Sequence, residues 1–405
     1  MFICDFHLHS KYSRATSPSM DLENLSLWAK RKGVNLLGTG DFTHPIWFEE
    51  LKKKLRLTDK GVYEHNGTKF ILTSEVCNIF TKKGKVRKIH NVIFLPSFEK
   101  VFKLNQKLER FGELGSNGRP ILHLEAEELV KMVKDTDPDG FVIPAHIWTP
   151  HFSLFGANSG FNHISECYGK QTENIFALET GLSSDPPMNW RLSELDGYTL
   201  VSNSDAHSPS RIGREANVFK KALNYLEIKK VLEKKDKKQF LFTVEYFPEE
   251  GKYHFDGHRN CKSCLSPQEA KKNENRCPVC GRKVTIGVMH RVLDLADREK
   301  GFIPKGAIPC KHLIPLEQII ASVLKKGVKS KTVQNQYLQI INQMGSEFKV
   351  LLEIPGEELK GNLPADIARA IIRVRKERVN LSPGYDGEYG KIEIPLGDEE
   401  QQKLF

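Results

Sequence analysis

Short apolar runs recur through the first 240 residues, each bounded by polar or turn-forming positions. Met1–Cys4 opens the series, and 35–38, 69–72, 91–95, 140–143, 174–178 and 198–201 follow. Runs of this length, rich in Ile, Val, Leu and Phe, predict buried strands. Between several of them the spacing widens to three and four, over 21–32 and 125–134, which predicts amphipathic helices. Strands alternating with helices predict a mostly parallel α/β sheet or barrel. The pattern then changes. The lysine-rich stretch 220–238 reads as a solvated helix closing a first domain at 240. A cysteine-bearing segment occupies 241–300, and 301–405 shows helical spacing at 315–326, 331–344 and 364–379.

The residues that end these runs are of ligand type. In "DFHLHS", Asp5, His7 and His9 alternate with Phe6 and Leu8 and share one face of an extended segment. Two imidazoles so placed either grip a metal ion or sit buried with backbone partners. The later ends supply Asp41 in "GTGDFTHP", Glu75 in "LTSEV", His90 in "RKIHNVIF", His146 in "VIPAHIW", and Asp205 and His207 in "SNSDAHS". Any one of these reads equally well as a capping residue. Together they describe a mouth at the carboxyl ends of parallel strands, where α/β sites gather. A mixed His, Asp and Glu set suits two or three divalent ions, Zn2+, Mg2+ or Mn2+. Such a cluster activates water and clamps both oxygens of a displacement, so phosphoester hydrolysis leads the reaction classes. Glu179, closing a run in "ALETGLSSDP", is a weaker candidate for the same site. Asp5 would steady a ligand His or cap the strand. Ser183 and Ser184 form a turn or a polar pocket wall, with Asn189 a further pocket candidate.

Composition narrows the picture. At 405 residues the chain exceeds one domain. It has no apolar run of about twenty residues and no charged-then-apolar leader, so neither a membrane span nor secretion is expected. Cys4, Cys77, Cys167 and Cys310 are scattered, and the other four form Cys261-x2-Cys264-x12-Cys277-x2-Cys280. That spacing predicts a closed structural zinc site in a reducing cytoplasm rather than a disulfide scaffold. The net charge of +10 permits a polyanionic partner. Lys82, Lys83, Lys85, Arg87 and Lys88 crowd the approach to His90, and Arg211 and Arg214 follow His207. These cations either fringe turns or hold phosphates. Trp148, Phe152, Phe155 and Phe161 follow His146 and either stack on unpaired bases or pack their loop down. Near the end, Ile367, Ile371 and Val374 share one helical face, with Arg369, Arg373, Arg375, Lys376 and Arg378 around it.

The set His7-x-His9, Asp41, Glu75, His90, His146 and Asp205-x-His207 resembles the PHP (polymerase and histidinol phosphatase) metal hydrolases. The resemblance implies a distorted seven-stranded α/β barrel over 1–240. It also implies three ions: one on His7, His9, Glu75 and Asp205, a second on Glu75, His90 and His146, a third served by Asp41 and His207. The family's second motif has His directly after Asp. Phe42 stands there in this chain, and His44 is the substitute candidate.

A narrower likeness runs through the whole chain, on "GTGDFTHP", "ETGLSSDPPMNWR", "SNSDAHSPSRIGRE" and "PGYDGEYGKIEI", and is to the endonuclease Q family of DNA repair enzymes. It implies cleavage 5′ of uracil, hypoxanthine, xanthine or an abasic site, leaving a 3′-hydroxyl and a 5′-phosphate. The lesion base would be flipped from the duplex. The enzyme would be cytoplasmic and nucleoid-associated. Gln401–Phe405 resembles the opening of a sliding-clamp binding box. The alternatives are a small-molecule phosphatase, for which the zinc module and helical domain are surplus, and a non-catalytic DNA-binding or clamp-associated protein, which the nearly complete ligand set opposes.

Overall fold

The computed structural model describes residues 1–397; Gln401–Phe405, with its clamp-box resemblance, lies outside them. The strands of the first domain are β1 (Phe2–Asp5), β2 (Leu36–Gly38), β3 (Arg56–Asp59), β4 (Val62–His65), β5 (Thr68–Lys82), β6 (Lys85–Leu95), β7 (Ile121–Leu122), β8 (Phe141–Pro144), β9 (Ala177–Glu179), β10 (Thr199–Val201), β11 (Ala216–Phe219) and β12 (Phe240–Glu245). β1, β2 and β5 run parallel, while β6, β8, β11 and β4 join antiparallel. The sheet is therefore mixed. The cause is the long β5–β6 hairpin, which Lys83 and Gly84 turn with φ of 52° and 71°.

The curved sheet continues across two seams, one of backbone bonds and one bridged by a side chain. Beyond β8, the Ile147 N–H donates to the Glu179 carbonyl at 3.0 Å, leading into the parallel pair β9–β10. Beyond β10, the Asn217 amide stands in for a strand peptide. It accepts from Ser202 N at 3.0 Å and donates to Ser202 O at 2.8 Å. These bonds bring β11 beside the end of β10 and gather the strand ends into one mouth.

Helices cover the outside as the spacing predicts. Leu22–Lys32 begins at Asp21, whose carboxylate accepts from Asn24 N at 2.9 Å, and it buries Leu22, Leu25 and Ala29. Ala126–Thr136 buries Leu129, Val130 and Val133 against the sheet. Two helices, Pro45–Lys54 and Phe98–Leu108, and the β3–β4 hairpin escaped the sequence pattern. Residues 174–176 are not strand, because a 3-10 turn over 169–174 feeds β9 late. The lysine-rich segment holds a helix, Tyr225–Glu233, that is only half solvated: Tyr225, Ile228, Val231 and Leu232 are buried.

The domain boundaries also shift. β12 carries the main sheet to Glu245 rather than ending at 240. The metal module folds around a small hairpin, β13 (Asp256–His258) with β14 (Ser263–Leu265). The chain then returns to the barrel, where β15 (Cys310–His312) pairs parallel with β12. The helices Leu316–Leu324, Lys331–Met344 and Ala365–Arg375 follow. A hairpin of β16 (Asn380–Ser382) and β17 (Lys391–Glu393) closes the described chain. Lys32 of the barrel is buried and paired with Glu347 of the helical domain at 2.8 Å. No described helix is long and apolar enough to cross a membrane.

Candidate metal centre and its surroundings

Strand register builds the centre. Glu75 on β5 lies opposite Val92, and His90 on β6 lies opposite Cys77, so Glu75 and His90 are diagonal neighbours on one face. The two Glu75 oxygens face different ways. Oε1 is 2.7 Å from His90 Nδ1 and 3.2 Å from His146 Nε2. Oε2 is 3.3 Å from His7 Nε2 and 3.1 Å from His9 Nε2. Asp205 Oδ1 completes the second set, 3.1 Å from His9 Nε2. The ligating atoms of His7, His9, Glu75 and Asp205 lie within 4.8 Å of one another, as do those of Glu75, His90 and His146.

The donor set fits metal. His7 Nε2, His9 Nε2 and Asp205 Oδ1 are buried without a hydrogen bond, which is costly unless a cation is their partner. The backbone is also held under strain here: Asp41, His146, Phe152 and Asp205 have φ of 50°, 30°, 61° and 46°. In the ion-free protein, burial opposes charge on His7 and His9, but Glu179 and Glu75 on one and Asp41 and Asp205 on the other raise both well above the usual imidazole range. Burial instead lowers His90 to about 4.

Two expected ligands face the Nδ1 atoms of the centre's histidines rather than joining either donor group. Asp41 Oδ1 meets His9 Nδ1 at 3.0 Å, and its Oδ2 accepts from Ser10 N at 2.6 Å and Ser13 Oγ at 2.9 Å. One oxygen orients His9 and the other is held by Ser10 and Ser13. Glu179 does the same for His7, whose Nδ1 is 3.0 Å from both carboxylate oxygens. His146 N and Asn203 Nδ2 also donate to Glu179, at 3.0 and 2.9 Å. His44 caps the helix at Pro45 and stacks on Tyr12 at 4.4 Å. His207 lies against His9, with ring centroids 4.5 Å apart. Among the described residues no third group of donors gathers around Asp41 and His207. Asp5 steadies no histidine. It accepts from Ser204 N and Gly213 N, both at 3.0 Å, and so shapes the loop that carries Asp205.

The centre holds a further cation that no sequence motif marks. Arg119 Nη1 is 2.9 Å from Glu75 Oε2, and that carboxylate keeps the guanidinium firmly protonated. A lone Arg in "SNGRP" carries no spacing signal that could have marked it.

The second motif changes register. The donors within 4.8 Å of one another are His258, Cys261, Cys277 and Cys280, not Cys264. Cys264 Sγ turns away toward the Pro383 carbonyl at 3.9 Å. The backbone explains the choice. Cys280 is followed by Gly281 at φ 70°, and Cys261 by Lys262 at φ 51°. The two turns are the same, so the knuckle is His258-x2-Cys261, matching Cys277-x2-Cys280. Burial pushes the Cys277 thiol up, but the Cys280 and Val279 N–H groups outweigh it and bring it down to about 6. The module's own apolar core holds only Leu265, Ala270, Cys277 and Val284.

The expected DNA-facing residues divide. Trp148 and Phe155 are buried, and the Trp148 indole donates to Asn189 Oδ1 at 2.7 Å, so neither ring is free to stack. Ser184 is buried, bonded to the Thr180 carbonyl at 2.9 Å. Lys82 pairs with Glu125 at 3.0 Å, Lys83 with Glu166 at 3.5 Å, and Arg87 holds Gly160 O while lying over Phe161. Phe152, partly exposed and strained, stacks 5.0 Å from His90, with Lys88 above it. Lys85 is exposed, and Ser183 is half-buried. Arg375 turns inward to the Leu351 and Ile354 carbonyls. A cavity of about 710 Å³ opens beside His207, lined by Arg211, Arg214, Tyr246, Gln318 and Tyr389.

Fold and donor set together define a mixed α/β hydrolase with two adjoining groups of metal donors and a separate Cys/His donor module. Residues 315–378 match the family model "MJ0043 C-terminal domain". The chain is 30% identical over 376 residues to protein YqxK of Bacillus subtilis, covering 90% of each. It is 32% identical to protein MJ0043 of Methanocaldococcus jannaschii over 72% of this chain and 38% of that one. The lesion-specific endonuclease PfuEndoQ of Pyrococcus furiosus superposes with a TM-score of 0.88 at 34% identity, covering 100% of this chain and 98% of that one. Endonuclease Q bound to a 27-mer duplex with an abasic lesion at its active site superposes at 0.87 with 35% identity over 100% of both chains. The chain belongs to the endonuclease Q family.

Proposed function

We propose that the protein is a metal-dependent DNA repair endonuclease. It hydrolyses the phosphodiester 5′ of uracil, hypoxanthine, xanthine or an abasic site, leaving a 3′-hydroxyl and a 5′-phosphate. The observation that carries this reading is Glu75, which offers one oxygen to each of two donor groups. Divalent ions held by His7, His9, Glu75 and Asp205 and by Glu75, His90 and His146 would lower the pKa of water and stabilise the charge of a phosphoryl displacement. The solved relatives, one lesion-specific and one bound to a duplex with an abasic lesion, support DNA as the substrate.

The chain's own residues do the rest. Glu179 and Asp41 hold the His7 and His9 rings in orientation and keep their Nε2 atoms free as donors. The cavity beside His207 has the volume for one extruded nucleotide. Arg211, Arg214 and the Gln318 amide line that cavity and supply hydrogen-bond donors to it. Deamination turns an amino donor into a carbonyl acceptor, so unpaired donors there favour the damaged base. Lys85, Lys88 and Arg211, without an ion pair among the described residues, would meet the DNA backbone, and Phe152 would stack on a base. Zinc suits the His258, Cys261, Cys277 and Cys280 knuckle, and Zn2+, Mg2+ or Mn2+ the active site. Nucleoid association and a clamp contact through Gln401–Phe405 belong to the same reading.

End-labelled duplexes carrying uracil, hypoxanthine, xanthine, an abasic site or no lesion test it. A cut just 5′ of each lesion, absent from the undamaged duplex and from Asp205→Asn protein, is the expected result. Equal cutting of all duplexes, or hydrolysis of phosphate monoesters alone, would overturn it.

A further inference from the structure

Arg119 enters the centre on a segment built to hold it there. Gly118 N donates to Tyr12 O at 3.0 Å, and Thr43 Oγ1 donates to Gly118 O at 3.3 Å. Asn117 Oδ1 accepts from Arg119 N at 3.3 Å, and Cys77 N donates to Pro120 O at 3.0 Å. A Cβ on Gly118 would come within 2.2 Å of Asp41 Oδ2 and 2.3 Å of Ser13 Oγ. Only glycine lets the chain pass this close to the carboxylate that orients His9.

The side chain is 27% exposed, whereas the Glu75 carboxylate beneath it is fully buried. The guanidinium therefore stands between the ligands and solvent, on the side from which a phosphodiester must arrive. It has five N–H donors, and among the described residues only Nη1 finds an acceptor, Glu75 Oε2. That oxygen also faces the His7, His9 and Asp205 group, so an ion bound there competes with Arg119 for it. A planar, permanently charged fork beside a phosphate site is suited to a non-bridging oxygen.

We propose that Arg119 is a catalytic residue that hydrogen-bonds a non-bridging oxygen of the scissile phosphate and supports the charge building on it. The assignment rests on the phosphodiesterase reading above. In the step, a water oxygen bonds to phosphorus as the P–O3′ bond breaks. One water proton ends on the 3′ oxygen and the other leaves from the new phosphate, while Arg119 keeps its own protons throughout.

Arg119→Ala and Arg119→Lys proteins decide it by three readouts: bound metal by mass spectrometry, turnover, and DNA binding. Turnover is measured on lesion duplex and on bis-p-nitrophenyl phosphate, a diester with no base to recognise. Arg119→Ala should keep its metal content and lose on the order of 10²–10³-fold in turnover on both substrates, with part restored by Lys. A methylphosphonate at the scissile linkage should weaken binding to the wild type and leave binding to Arg119→Ala unchanged. Wild-type turnover in Arg119→Ala, or activity lost only in proportion to metal, would overturn the assignment, leaving Arg119 as a neutraliser of Glu75. A wild type that hydrolyses the simple diester and spares lesion DNA removes the repair reading, while the diester still decides Arg119. A wild type inert on both removes the two together.

Discussion

The barrel centre and the cysteine module both gather metal donors, but by opposite means. In the barrel, Glu75 and His90 project from the middles of β5 and β6, His146 and Asp205 follow the ends of β8 and β10, and buried partners hold the rings of His7 and His9. In the module, two short turns supply every donor, and the apolar core around them is very small. A site built by a sheet is placed before any ion arrives. A site built by two turns needs its ion to hold the turns together. The same contrast governs how each was read. His258, Cys261 and Cys264 are evenly spaced, so two knuckle registers fit the sequence. The left-handed Lys262 settles the register.

Breaking the shared ligand should have the largest effect. Glu75→Ala should lose both barrel ions and lower turnover by more than about 10³-fold, with the folded barrel retained on circular dichroism. Ion binding must displace protons from His7 and His9, so barrel metal affinity should rise with pH, as titration calorimetry would register. The module should respond through stability. Cys261→Ser and His258→Asn should lose one ion and melt the module early, while Cys264→Ser keeps metal content and melting temperature. Loss of the ion in Cys264→Ser with retention in His258→Asn would restore the four-cysteine register.

Supports should matter less than ligands. Glu179→Gln should weaken barrel metal binding by about 10–100-fold without unfolding. If Glu179→Gln matched Glu75→Ala, the distinction between ligand and support would fail.

The smallest effects lie where the barrel meets the later domains. His312 sits between Asp185 and Glu377, at 3.0 and 3.1 Å, fastening the barrel to the helical domain. Burial opposes its charge, but the two carboxylates raise it to about 10. Its stabilising contribution is full below the ordinary imidazole range and lost as pH rises through about 10. His312→Ala should therefore lower the melting temperature at pH 7 and change it little at pH 11. Glu245, raised by burial to about 8, is the reverse case. The fold keeps its proton where the unfolded chain has lost it, so stability falls as pH climbs from the ordinary carboxylate range toward 8. Glu245→Gln should remove that slope and gain on the order of 1 kcal/mol at neutral pH.

Ligand types, and the apolar runs beside which they fall, could be read from the chain alone, because both are local properties of a few consecutive residues. His7, His9, His146 and Asp205 were legible because they follow strands, and so were the helices with clear apolar spacing; Glu75 and His90 were legible as residue types, but the strands run on past them, so they sit in the middles of β5 and β6. Only the tertiary structure decided which carboxylates bind and which orient. Asp41 and Glu179 look like ligands in the chain, and become supports because the ring nitrogens facing them are the ones turned away from the centre. Only the structure brought Arg119 to Glu75, because a loop residue's position depends on a glycine fitting against a distant carboxylate. Trp148 and Phe155 were withdrawn from any DNA contact for a similar reason: whether a ring faces core or solvent is settled by what packs around it. Ligand chemistry is a property of residues, and the division of roles is a property of the contacts among them.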